Sequence, residues 1–260
     1  MIDLKGSFPA IVTPFSDDGS QIDHDSLANL IDFQIKSGSK GIVVAGSTGE
    51  AATLSEDEYK QLIKKSLQIV NNRVPIIVGI GTNSTSKAKE MAKWLESVKV
   101  NALLVVTPPY NKPNQEGLFA HYAEVAKSTS LPIIAYNVPG RTGVSIAPST
   151  VGKLWKAKHI VAIKDATASL DQALDIVSET GDGFSLLSGE DSIVHPIICS
   201  GGKGVISASA NVLPFEFSEI VKNSLSGNYE ESLKLQLKVL PVVRAMFIET
   251  NPVPVKTALY

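Results

Sequence analysis

Residues 159–166, His-Ile-Val-Ala-Ile-Lys-Asp-Ala, decide how this chain is read. Ile160 through Ile163 are apolar without a break, which reads as a strand buried on both faces. The run then stops at Lys164. A lysine after a strand ordinarily marks the water surface, where its ammonium stays hydrated. The other reading is an amine held against the core for chemistry. What separates the two is whatever else the chain brings to the same place.

Apolar runs of this kind recur at 10–12, 41–44, 76–79, 102–106, 133–136, 184–187 and 204–206, about 20 to 35 residues apart. Amphipathic helical patterns follow most of them. Asp23, Ser55, and Ser84 or Thr85 stand at plausible N-caps, and Ser55 with Glu58 forms a capping-box pattern. Gly38 falls just past the first helix, where a left-handed residue commonly ends one. With the run at 160–163, eight strands alternating with helices predict an α/β fold, a (β/α)8 TIM barrel. The competing open doubly wound sheet ordinarily has fewer strands. Residues 1–227 are expected to form the catalytic barrel. Residues 228–260 look helical only, the start of a C-terminal helical region that is truncated at Tyr260, with an interruption expected near Pro241.

Bulk properties narrow the function. The chain has 260 residues, 43% of them apolar and 19% charged, enough for one substantial core. A net charge of −2, from 24 basic and 26 acidic residues, offers nothing to nucleic acid or an anionic membrane surface. The first residues lack a signal-peptide core and no apolar run could span a membrane, so a cytoplasmic location is expected. The single cysteine, Cys199, excludes an internal disulfide, and its neighbours Ile197 and Ile198 suggest a buried thiol.

In a barrel the site lies at the C-terminal ends of the strands. Polar residues do gather there. "GSTGEAATLS" brings Ser47 and Thr48, "TPPYNKPNQEG" brings Tyr110, and "YNVPGRTG" brings Tyr136 and Arg141. "SGED" and "ISASAN" follow the last two runs. "GIGTNST" lacks the third glycine of a dinucleotide loop, and no phosphate-binding P-loop occurs. "SDDGSQID" reads as a turn, not a calcium loop. His24, His121, His159 and His195 share no metal-ligand spacing, and no serine nucleophile elbow is present. No cofactor and no metal are expected. A lysine on a buried strand loses hydration, which favours the neutral amine, and such an amine forms a Schiff base with a ketone. Tyrosine hydroxyls can move the protons, and Arg141 can grip a carboxylate with its planar fork.

In order, "GSTGEAATLS", "PPYNKPNQEGL", "YNVPGRTG", "AIKDA", "LSGED", "GVISASAN" and "NPVPVKTAL" resemble the dihydrodipicolinate synthase family of pyruvate-dependent class I aldolases, from about residue 5 to the last residue. The resemblance implies that Lys164 forms a Schiff base with pyruvate and that Tyr136 is its general acid/base. Thr48 and Tyr110 would complete a proton relay, with Tyr110 contributed across a subunit interface. Ser47 and Thr48 would hold the pyruvate carboxylate, and Arg141 that of L-aspartate 4-semialdehyde. Gly189 and Ile206 would line the site through their backbone. The implied product is 4-hydroxy-tetrahydrodipicolinate, on the route to diaminopimelate and lysine, and the implied assembly is a homotetramer. A sugar-acid aldolase of the same chemistry is the alternative, and an inactive barrel serving as a regulatory subunit is a further one.

Lysine inhibits many family members at a subunit interface. Ala52 and Asn83 fit that pattern, but Glu56, Tyr59, Lys87 and Pro109 depart from it, so weak or absent lysine feedback is expected.

Overall fold

The computed structural model describes residues 2–260. From the N-terminus run β1 (Gly6–Pro9), α1 (His24–Lys36), β2 (Ile42–Val44), α2 (Glu56–Val70), β3 (Ile76–Ile80), α3 (Thr85–Ser97), β4 (Ala102–Val106) and α4 (Gln115–Ala126). There follow β5 (Ile133–Asn137), α5 (Pro139–Thr142), α6 (Pro148–Lys156), β6 (Ala162–Asp165), α7 (Leu170–Thr180), β7 (Ser185–Ser188) and α8 (Val194–Cys199). The chain closes with β8 (Gly204–Ser207), α9 (Pro214–Leu225), α10 (Tyr229–Ala245) and α11 (Val253–Leu259).

The strands make one 8-stranded parallel sheet in the order β1-β8-β7-β6-β5-β4-β3-β2. The ring closes between β1 and β2 through the bridge Ala10–Val43, where the Ile11 N–H donates to the Val43 carbonyl at 3.0 Å. This is the expected (β/α)8 barrel with a C-terminal helical extension. The strands are mostly apolar on both faces because each faces two cores. Phe8, Val43, Ile77, Leu104, Ile134, Ala162, Leu187 and Ile206 fill the barrel interior. Their neighbours Ile42, Val78, Leu103, Val105, Ala135, Ile163 and Leu186 pack outward under the helices. This two-sided burial hides the period-2 alternation from hydropathy.

Local chemistry starts the helices as expected. The Asp23 carboxylate accepts the N–H groups of Asp25 and Ser26, both at 3.0 Å, to cap α1. Ser55 and Glu58 form the reciprocal capping box of α2, and Ser84, not Thr85, caps α3.

Four expectations are corrected. The first strand is Gly6–Pro9, not 10–12; its glycine, serine and proline disguise it, while Ala10 only bridges to Val43. The sixth is Ala162–Asp165, not 160–163, because the ladder pairs Tyr136 with Lys164 and Asn137 with Asp165. Lys164 therefore stands inside a strand, two residues from the inward-facing Ala162, and shares its side of the sheet. α10 passes through Pro241 unbroken, since the carbonyl it leaves free belongs to Leu237 on the exposed face. Cys199 is exposed: Ile197 and Ile198 turn inward at the end of α8, and the Cys199 sulfur lies 3.6 Å from His195 Nε2.

Candidate active site

Lys164 is 7% exposed, and its Nζ lies 4.4 Å from the centroid of the Tyr136 ring on the adjoining strand. Among the described residues it takes part in none of the ion pairs. The contact with a ring face suits a cation without neutralising it. The buried carboxyl of Asp191, just past β7, accepts the Ser209 N–H at 2.7 Å. Burial pushes this acid up from the ordinary carboxylate range, against smaller opposing pulls from hydrogen bonds of Ser209 and Ser207 and, least, from the Lys164 charge.

Gly189 makes room for the lysine. A Cβ there would lie 3.0 Å from Lys164 Cε, 3.0 Å from the Asp165 carbonyl oxygen and 2.8 Å from Ala166 Cβ. Gly79 plays the same part for the turn after β2, where a Cβ would lie 2.1 Å from the Ala45 carbonyl oxygen. That close approach seats Ala45 and Gly46, which lead into Ser47 and Thr48, against β3. Ala45 (φ 53°) and Glu50 (φ 59°) give the turn its left-handed corners, and the Thr13 hydroxyl donates to the Gly49 carbonyl at 2.7 Å.

Arg141 sits on α5, immediately beyond β5. Asn137 steadies this segment: its amide donates to Asp165 Oδ1 at 2.8 Å, and its carbonyl oxygen accepts the Ile146 N–H at 3.2 Å. Arg141 Nη2 donates to the Asn251 carbonyl at 2.8 Å. A cavity of about 530 Å³ opens here, with Ser47, Tyr136, Val138, Arg141, Asn251 and Lys256 among its lining residues.

The barrel thus brings together most of the residues singled out from the sequence. Ser47, Tyr136 and Arg141 line the cavity, with Lys164 against the Tyr136 ring and Gly189 against Lys164. Lys164, Gly189, Thr48 and Ile206 are not themselves among the lining residues: Lys164 is reached through the Tyr136 ring, Thr48 is buried and hydrogen-bonded to Asn251, and Ile206 belongs to the interior layer. Tyr110 is not brought in. It is 88% exposed at a left-handed φ of 69°, while its neighbour Pro109 lines the cavity. No hydrogen bond among the described residues joins Thr48 to Tyr136 or Tyr110.

Sequence reasoning missed the contribution of the C-terminal segment. Asn251, Pro252, Val253 and Lys256 close one side of the cavity, and Lys256 pairs with Glu50 at 2.8 Å. The signal was present in "NPVPVKTAL", whose polar residues had no assigned role. Among the described residues no group of three or more His, Cys, Asp or Glu side chains is placed to hold a metal ion.

Comparison with known proteins agrees with this geometry. The model of the dihydrodipicolinate synthetase family matches residues 3–260. A 4-hydroxy-tetrahydrodipicolinate synthase of Citrifermentans bemidjiense is 49% identical over 256 residues, covering 98% of this chain and 88% of that protein. The crystal structure of the Thermotoga maritima dihydrodipicolinate synthase superposes with a TM-score of 0.95 at 42% identity, over 98% of this chain and 87% of that one. The enzyme of Cyanidioschyzon merolae, solved with lysine bound, gives 0.95 at 34% identity, over 98% and 87%. A family model spanning nearly the whole chain, close relatives and a matching barrel lead to one conclusion: this chain belongs to the dihydrodipicolinate synthetase family.

Proposed function

We propose that this enzyme condenses pyruvate with L-aspartate 4-semialdehyde to give 4-hydroxy-tetrahydrodipicolinate, in lysine and diaminopimelate biosynthesis. The observation that carries the reading is a lysine 7% exposed on a barrel strand, with a tyrosine ring against its amine. Lys164 Nζ adds to C2 of pyruvate, and loss of water leaves an iminium. The iminium draws electrons from C3, whose proton departs to give an enamine. C3 then bonds to the aldehyde carbon, and the aldehyde oxygen takes a proton to become the hydroxyl. The amino group of the second substrate adds at C2 and expels Lys164, closing the ring.

In this reading Tyr136 exchanges protons with the carbinolamine and the enamine, since its ring already lies against Lys164. Ser47 and Thr48 hold the pyruvate carboxylate through hydroxyl and backbone N–H groups. Arg141 binds the carboxylate of the aldehyde through a charge-assisted pair. Gly189 and Ile206 serve through their backbone, and Gly189 also through the space it leaves. Tyr110 joins the relay only from a neighbouring copy, and its exposure in a single chain fits self-association; the family resemblance implies a homotetramer. Residues 1–227 form the catalytic barrel, and 228–260 the helical region that adds Asn251 and Lys256 to the cavity wall. No helix among the described residues is long and apolar enough to cross a membrane, which fits a cytoplasmic location.

The test is direct. Incubation with pyruvate, reduction with borohydride and peptide mass analysis should place a three-carbon acid adduct on Lys164. An unlabelled Lys164 defeats the reading. A panel of aldehydes in turnover assays then separates aspartate 4-semialdehyde from sugar-derived acceptors.

A further inference from the structure

We propose that Asn251 is a positioning residue that holds the proton-handling hydroxyl and the anion anchor in one frame; the inference rests on the pyruvate-imine reading above. It stands 203 positions from Thr48 and 110 from Arg141, yet touches both. Its side-chain Nδ2 donates to Thr48 Oγ1 at 2.9 Å, and its main-chain carbonyl accepts Arg141 Nη2 at 2.8 Å. Only 8% of Asn251 is exposed, and its bond to Thr48 is buried and worth more than one on a surface, whereas the bond from the exposed Arg141 is only partly sheltered.

The first bond has a directional consequence. A threonine hydroxyl has one O–H to give and two lone pairs to receive with. When the amide occupies one lone pair, the Thr48 O–H is left to donate to another acceptor. The amide thereby aims a proton without taking part in its transfer. The second bond ties the guanidinium to a backbone atom, so the acceptor stays in place whatever rotamer the Asn251 side chain takes. The segment that carries Asn251 is itself anchored by the Lys256–Glu50 pair and by fully buried Val255. Glu50 belongs to the same turn as Thr48. Asn251 Oδ1 is buried without a protein partner.

Asn251→Asp tests the idea with almost no change of shape. The introduced carboxylate cannot donate, so it accepts the Thr48 O–H and turns it away from its task, while the main-chain carbonyl still holds Arg141. The expected result is a fall in kcat of roughly 10²-fold, the order of loss that misplacing a reacting group produces. KM for the aldehyde should change little. Because a protonated carboxyl can donate again, the activity ratio of variant to wild type should rise as pH falls. In a Thr48→Val background the same substitution should cost nothing further. A variant with wild-type kcat, as expected if the amide were reversed and Thr48 donated to it, overturns the inference. So does an equal loss in both backgrounds. Borohydride trapping with pyruvate in the same samples separates the failures: no adduct on wild-type Lys164 sinks the imine reading and this inference together, whereas normal trapping with an indifferent Asn251→Asp sinks this inference alone.

Discussion

Adding one methyl group at Gly189 should slow imine formation without unfolding the barrel. An alanine Cβ would sit 2.8 Å from Ala166 Cβ and 3.0 Å from Lys164 Cε. An optimal carbon–carbon contact is roughly 3.5–4.0 Å, so each gap is short by about 0.5 Å or more. Ala166 and the Asp165 carbonyl are tied to β6 and move only with the strand. Lys164 Cε, near the end of a flexible side chain, yields first. Its amine then shifts by a sizeable fraction of an ångström from the position that meets a bound ketone. Misplacement of that order costs roughly 10- to 10²-fold in rate, or about 1.4–2.7 kcal/mol of barrier. Overpacking should also cost about 1–3 kcal/mol of stability. The assay is the time course of borohydride-trappable adduct after mixing with pyruvate, with denaturant unfolding of the same protein alongside. Gly140→Ala is the control, because a Cβ there meets nothing within 4 Å. If Gly189→Ala traps pyruvate at the wild-type rate while remaining folded, close packing behind Lys164 does not set the position of its amine.

Arg141→Ala should lower kcat/KM for the aldehyde by roughly 10- to 10²-fold, the worth of a charge-assisted hydrogen bond, while the pyruvate adduct still forms; equal loss of both steps would remove the assigned role. Lysine should inhibit weakly or not at all, since the cavity formed by α2 and α3 places Lys87 beside Glu56 and Lys60, and the Tyr59 hydroxyl is turned inward onto the Gly79 carbonyl at 2.9 Å. Half-maximal inhibition by submillimolar lysine in a steady-state assay would overturn that. Acid should weaken the fold through His121, whose pKa is lowered by burial from 6.5 to about 4. The unfolded chain takes up this proton first, so stability falls as pH drops from about 6.5 to 4 and levels off below. Denaturant titrations across that window should show the slope in wild type and a flatter one in His121→Asn.

Much of this molecule is legible along the chain. The repeated apolar runs mark most of the strands, because a parallel strand between two cores is largely apolar. Caps at Asp23, Ser55 and Ser84 are local chemistry, complete within a few residues, and they stand where the sequence puts them. The polar rim of Ser47, Tyr136, Arg141 and Lys164 follows from strand order, since every strand of a parallel barrel ends on the same side. What the run 159–166 could not tell by itself was the side of the sheet its lysine would take. Two-sided burial erases alternation, so only the ladder to Tyr136 and Leu187 decides that Lys164 faces inward. The first strand escaped notice for the opposite reason: Gly6 and Pro9 look like a turn until their partners on β8 are in place. Tertiary structure alone decides the other closures, because they join distant positions through single bonds that carry no local pattern. The space at Gly189, the seat of the turn on Gly79, and the reach of Asn251 across 203 positions to Thr48 are of this kind. The barrel and the chemical groups on its rim can be read along the chain. Folding decided which of those groups touch, because contact between residues far apart in the chain is a property of packing and not of any stretch of residues.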